Sequence, residues 1–399
     1  MAKRKNNRKK KTITPHQNSG YKRFITEVTK VVSKIFTGNS SMPMSAAFKK
    51  MMYETKLTIR NAEPYNDKVS SKECKAITEK FRHYYKTEVY EIPGKISTLY
   101  EMHLLYSYVN ARAYEFKKKA GENDPDVISY KKSSSEVFKV FFQYYYLSFL
   151  RTILQFSSAD KKYFSVDIRI GHAIKSNPKA EIVADLYGFD PIKKYFEING
   201  TKRPAYKLRS PLAQKPFIKD ITFLNTQLHL NTSKENYTLD VYIQSHALKR
   251  IHERLDNLDT RAIHHSLWTT INQKVEFILH KGHKLLPFLL NEVKVGYLLA
   301  TIVDNTVVFR TFLFITHNST PEGDMLRRQT GLAKEDMKYW KIDRLSTFLN
   351  LDPDKQPQIF ELFKRAGLGD LIHLRSMQFD IDSLQIASIE GLLDYLIQT

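Results

Sequence analysis

Two short stretches hold residue types able to move a proton and to grip a phosphate. The first is "YIQSHALKRIHERLDN", residues 242–257, with His246, Arg250 and Arg254 at four-residue steps. The second is "VVFRTFLFITHNSTPEGD", residues 307–324, with Arg310 and His317. Histidine is the side chain that changes charge near neutrality, so His246 and His317 are the candidates for proton exchange. A guanidinium stays charged and meets phosphate oxygens in pairs, so Arg250 and Arg310 are the candidates to hold a phosphate. These are the acid–base and phosphate-binding groups a nuclease needs. The plainer alternative is a solvated helix face, with Arg310 paired to a carboxylate such as Glu253 or Glu276.

The elements that must position these groups are a strand running straight into a helix, then a long strand pair. Ser245 is a candidate N-cap, and Leu248, Ile251, Leu255 and Leu258 form an apolar stripe. At about 100° per residue, His246, Arg250, Glu253 and Asn257 lie opposite that stripe, with Arg254 beside them. Simple alternation along the second stretch sets Val308, Arg310, Phe312, Phe314 and Thr316 on one face, and Thr311 and His317 on the other. Helices are expected within the intervening segment, from 245 to 290.

The order of these parts resembles the RelE-like superfamily of toxin ribonucleases, whose small members open a helix with His-Ala and carry an arginine four residues on. The resemblance covers roughly residues 238–325, under a quarter of the chain. It carries over His246, Arg250 and Arg310, and less directly Thr316. The chain departs from the family in its size, in the insert between helix and hairpin, and in added helical regions. The resemblance implies cleavage of RNA through its own 2′-hydroxyl, without metal or cofactor. A base takes that proton, an acid protonates the 5′-oxygen, and cations hold the phosphorane. An inhibitory protein partner is a further implication.

The rest of the chain sets the wider expectation. A formal charge of +21 over 399 residues favours a polyanionic partner, nucleic acid first. RNA is expected over DNA. Lys3, Arg4 and Arg8 lie in a basic first segment with no apolar periodicity, where phosphate contacts would weaken with salt. Further on, Lys193, Lys194, Lys202, Arg203, Lys207, Arg209, Lys215 and Lys219 interleave with Tyr195, Phe196, Tyr206, Phe217 and Phe223. That pattern suits a grip on single-stranded nucleic acid, or merely a protected sheet edge.

Cys74 is the one cysteine, which excludes an internal disulfide framework and a Cys-rich zinc site. His264 and His265 point apart on a helix, and His280 and His283 lack a matching carboxylate, so no metal site is expected. No P-loop, dinucleotide fingerprint or Gly-x-Ser-x-Gly elbow is present. The apolar window 138–156 contains Lys139, Gln143 and Arg151. It reads as a buried helix and not as a membrane span, which needs about 20 mainly apolar residues.

The expected fold is α+β: a helical N-terminal region, a central mainly antiparallel sheet with helices, and a helical C-terminal region. The expected organisation is a disordered tail over 1–20, a helical domain over 21–158, an α+β domain over 160–330 holding the module at 238–325, and helices over 331–399 packed on it. Pro125 and "KKSSS" at 131–135 mark a loop, and Asn199-Gly200 and Asp304-Asn305 mark tight turns. The reading is a cytoplasmic, RNA-acting protein. It is either an endoribonuclease or a non-catalytic nucleic-acid-binding or structural protein of a mobile element or ribonucleoprotein.

Overall fold

The structure, a computed structural model, describes residues 19–35, 43–92, 95–121, 123, 125–172, 180–211, 218–230, 236–273 and 276–376. The fold is α+β, with helices at both ends of the described region and a mixed sheet between. The described residues fall into two compact units. One draws on residues up to 65, 69–149 and 167–186, the other on 66–68, 150–166 and from 187 onward.

The first unit is mostly helical: α1 (Ser19–Ile35), α2 (Ala46–Thr55), α3 (Ser71–Thr87), α4 (Leu99–Ala120) and most of α5 (Pro125–Phe156). Two short strands, β1 (Thr58–Ile59) and β2 (Glu63–Pro64), and the hairpin of β3 (Val89–Ile92) and β4 (Lys95–Thr98) lie between them in sequence. Parts of β5 (Tyr163–His172) and β6 (Ala180–Phe189) complete it, with β1 and β2 both parallel to β6. Helix α1 buries Phe24, Val28, Val31 and Val32, the stripe its spacing requires. Reciprocal capping boxes open two helices, Ser70 with Glu73 on α3 and Thr98 with Glu101 on α4.

The expected loop at 131–135 is helix instead. Pro125 stands first in α5, where its missing N–H costs nothing, and the serines continue the helix as interior residues. Phe141, Tyr145 and Phe149 form a fully buried stripe at four-residue steps, and that packing outweighs the modest helix propensity of the serines. Among the described residues, no helix is long and apolar enough to cross a membrane.

The second unit is built on an eight-stranded sheet. Its strands are β7 (Lys193–Ile198), β8 (Thr201–Lys207), β11 (Thr222–Leu224), β12 (Thr238–Gln244), β13 (Ile278–His280), β14 (His283–Leu290), β15 (Val293–Val303) and β16 (Thr306–Phe314). A separate short pair, β9 (Arg209–Ser210) and β10 (Lys219–Asp220), stands apart from it. The sheet order is β13-β14-β15-β16-β12-β8-β7, with β11 also on β12. Every pairing in this sheet is antiparallel except β12 with β16.

Helices α6 (Ser245–Arg254) and α7 (Thr260–Asn272) follow β12. After β16 come α8 (Pro321–Thr330), α9 (Lys334–Tyr339), α10 (Leu345–Asn350) and α11 (Pro357–Arg365). One core joins them: Val241, Ile243, Val307 and Phe309 from the sheet, Ile251 and Trp268 from α6 and α7, and Phe348 and Phe363 from α10 and α11.

The stretch 278–290 is a correction to the expectation of helices up to 290. It is a hairpin whose strand β14 buries Leu286, Phe288 and Leu290 in the core, a two-residue period. Four two-residue hairpin turns share one device, positive φ at both central residues, as a type I′ turn requires. Asn199-Gly200 and Asp304-Asn305 carry the expected turn chemistry; Lys281-Gly282 and Asn291-Glu292 do the same with less telling residues.

Candidate active site

The parallel pair builds the site. Asp240 aligns with Thr306 and Ile243 with Phe309, so β12 and β16 run the same way and deliver their C-terminal ends to one side of the sheet. Strand β12 passes directly into α6. The cap is the buried Gln244, without a side-chain capping bond, so Ser245 is the first helical residue and not the N-cap expected for it. Ala247, Ile251 and Leu255 anchor α6 in the core. His246, Arg250 and Arg254 are left at a cavity wall.

Strand β16 contains an irregularity that alternation could not anticipate. Thr311 pairs with Leu299 and Phe309 with Ala300, which leaves Arg310 as an extra residue in a β-bulge. The bulge reverses the facing of the residues beyond it. Val307, Phe309, Phe312 and Phe314 all enter the core, and Val308 and Leu313 belong to small clusters outside it. Arg310 is therefore not set among Phe312 and Phe314 as alternation predicts. It is half-buried and lines a cavity. Among the described residues it has no carboxylate partner, and Glu253 is instead taken by Arg250 at 2.8 Å.

Two adjoining cavities collect the candidate residues. The first, about 520 Å³, is lined by His246, Arg250, Arg254, His317, Lys334 and Lys338, among others. The second, about 340 Å³, is lined by Arg203, Gln244, His246, Arg310 and Thr311, with the Asn199 turn at its side. His246 and Thr311 line both. His246, Arg250 and His317 thus share one cleft, and Arg310 meets His246 in the next. Arg254 is paired with Asp343. Arg203, Arg310, Arg327, Lys334 and Lys338 have no carboxylate partner among the described residues, so the combined cleft holds an excess of positive charge over Glu335 and Asp343, the carboxylates that line it.

Burial first, and that charge second, set the histidines. Burial, then the neighbouring Arg203 and Arg250, pushes the His246 imidazole below its ordinary value of 6.5. Burial, then Lys334 and Arg254, pushes His317 down to about 4. Both rings are neutral at pH 7. Nδ1 of His317 accepts the Ser319 backbone N–H at 3.1 Å, which assigns the proton to Nε2. His246 can accept a proton, and His317 can donate a hydrogen bond from Nε2 to an oxygen that gains charge. Gly323 belongs to the same construction, because a Cβ there would run into the backbone carbonyl oxygens of Thr316 and His317.

The basic candidates divide. Lys193, Lys194, Lys202 and Arg203 are exposed on the β7–β8 hairpin, and Arg203 reaches the second cavity. The Lys193 ammonium lies 5.1 Å from the ring centre of Tyr195, which is half exposed; Lys194 lies 4.9 Å from Phe196, which is buried. Lys207 is withdrawn from solvent and bonded to Asp220 at 2.7 Å and Asp240 at 2.9 Å, so its expected role against nucleic acid gives way to a structural one. Phe223 is core and Tyr206 is packed against the core, which leaves Tyr195 as the exposed ring of the interleaved pattern among the described residues. Lys3, Arg4, Arg8, Lys215 and Phe217 lie outside the described residues.

The Thr316 hydroxyl donates to the Ile342 carbonyl at 2.7 Å, a tie between strand end and C-terminal segment. His264 donates from Nδ1 to the Gln155 carbonyl at 3.2 Å, and His265 is held at about 4 by burial, then by Arg151. His280 and His283 face each other across a hairpin, and among the described residues no cluster of three or more His, Cys, Asp or Glu is placed to hold a metal ion. Arg327, Lys334 and Lys338 were not legible as site residues: they come from α8 and α9, and only folding brings those helices to the cleft. No protein-family model, curated protein or solved structure matches the chain.

Proposed function

We propose that this chain acts on RNA and that the paired cleft is the active site of a metal-independent endoribonuclease of toxin type. The observation that carries the reading is His246, a neutral imidazole lining two adjoining cavities rich in arginine and lysine. In this reading His246 takes the proton of the 2′-hydroxyl. Arg250 and Arg310 hold the non-bridging oxygens as the phosphorane forms; neutral His317 steadies the departing 5′-oxygen with a hydrogen bond from Nε2, and that oxygen takes its proton from water. An entering phosphate offsets the charge of Arg203 and Arg250, so the His246 pKa rises on binding toward the range where a base works well. The exposed lysines of β7 and β8 extend the grip along a single strand.

The test is incubation of the protein with RNA in excess EDTA, beside His246→Ala/Arg310→Ala, with the new ends mapped. Cleavage leaving 2′,3′-cyclic phosphate ends, lowered by at least about 100-fold in the variant, is expected. RNA left intact but bound equally by both proteins would replace this reading with that of a basic binding protein.

A further inference from the structure

The helical unit has its own cavity, of about 430 Å³, which the RNA reading leaves unused. Its wall includes Phe24, Phe81, Tyr85, Tyr100 and Phe149, an aromatic surface. His103 stands among them. Its Nε2 meets the Leu57 carbonyl at 2.8 Å and its Nδ1 meets the Tyr85 hydroxyl at 2.6 Å. The carbonyl can only accept, so Nε2 carries the proton and the Tyr85 hydroxyl donates to Nδ1. Burial, the first cause, holds this ring near pKa 4, so the floor is uncharged at pH 7.

Charge gathers at the mouth instead: Arg23, Lys56, Arg60, Arg82 and Lys86, against Glu27 as the one carboxylate lining the cavity among the described residues. Arg23 takes up that carboxylate at 3.0 Å. Arg60 has only long approaches, 3.6 Å to Glu63 and 3.9 Å to Glu181. Arg82 bonds a neutral group, the Asn61 amide oxygen. Lys86 acts on Glu27 through space and makes no close ion pair among the described residues. Helix α3 explains the arrangement. Phe81 and Tyr85 point inward, and Arg82 and Lys86, one position on from each, are exposed at the rim.

We propose that this cavity binds a mononucleotide: a planar ring against the aromatic wall, and a phosphomonoester held by Arg82, Lys86 and Arg60. An uncharged aromatic floor beneath a cationic rim fits a flat body with an anionic end, and the volume lies within the range of about 300–1,000 Å³ usual for small-ligand sites. Aromatic stacking is indifferent to base identity, so adenine and uracil forms should both bind.

Isothermal titration of the full chain tests this, with adenosine and uridine 5′-monophosphates, adenosine, and inorganic phosphate as separate ligands. Both nucleotides should bind at least about tenfold more tightly than adenosine or phosphate alone. Arg82→Ala/Lys86→Ala should lose at least about tenfold in nucleotide affinity, and Arg82→Lys/Lys86→Arg should recover most of it. His246→Ala/Arg310→Ala, which disarms the RNA cleft, should keep the nucleotide site whose affinity depends on Arg82 and Lys86. Since Arg82 and Lys86 are exposed, an unchanged thermal melt checks that the alanine variant is folded. Phosphate as tight as nucleotide would reduce the cavity to a simple anion site and overturn the proposal. Affinity that falls with His246→Ala/Arg310→Ala but not with the α3 variant would place the ligand in the other unit, and the absence of binding at millimolar nucleotide would remove it altogether.

Discussion

Each unit holds a histidine at a cavity wall with its pKa pushed down to about 4, His103 in one and His317 in the other. Burial is the first cause in both. The difference lies in what their nitrogens do. Both nitrogens of His103 are bonded, to Tyr85 and Leu57. His317 uses Nδ1 on the Ser319 N–H, and its Nε2 has no partner among the described residues. A depressed pKa therefore marks both a structural ring and a candidate functional one. The unspent N–H beside Arg254 and Lys334 is what separates them.

The largest effect that would break this comparison is on cleavage. His317→Ala should lower the rate of RNA cleavage by about 100-fold or more, because it removes a donor aimed at developing charge. His103→Gln should leave the rate of the folded protein unchanged and instead destabilise it by about 1–3 kcal/mol, since the Tyr85 hydroxyl and Leu57 carbonyl lose a fitted partner. Rate assays and urea unfolding on the two variants decide it. The reverse pattern would exchange the roles assigned to the two rings.

A smaller effect concerns pH. The folded pKa of His103, His265 and His317 lies below the ordinary 6.5, near 4 in each case. Between those values the unfolded chain binds more protons than the folded one, so their contribution to stability is full above pH 6.5 and falls as pH drops toward 4. His103→Gln lacks one of these contributions. The stability gap between parent and variant should therefore narrow from pH 7 to pH 5 in urea titrations. A gap that stays constant would mean that His103 titrates normally in the folded protein.

The same residues show how much was legible beforehand. The helix carrying His246 and Arg250 follows from its 3.6-residue period, and two turns follow from Asn199-Gly200 and Asp304-Asn305, because local backbone preferences decide them. The bulge at Arg310 does not follow, since an extra residue in a strand is fixed by the partner strand, here at Leu299 and Ala300. The hairpin at 278–290 was hidden because "HKLLPFLL" has apolar residues on both phases of a two-residue period. Lys334 and Lys338 join the cleft through tertiary packing alone. Lys207 is the same case in reverse: nothing local announces that Asp220 and Asp240 will consume its charge.

That last residue gives the smallest and most discriminating effect. Arg203 and Lys207 lie four residues apart on one strand, yet Arg203 is exposed at the second cavity and Lys207 is enclosed by two aspartates. A cation that touches a phosphate releases counterions when RNA binds, at about 0.7 in the slope of log K against log salt for each contact on a single strand. Arg203→Ala should flatten that slope by about 0.7 and weaken binding most at low salt. Lys207→Ala should leave the slope alone while lowering the melting temperature, because it takes the cation from Asp240 and leaves Asp220 with Arg209 alone. Equal slope changes in the two variants would mean that Lys207 leaves its aspartates when RNA arrives, and the distinction between spent and unspent charge would no longer mark the site.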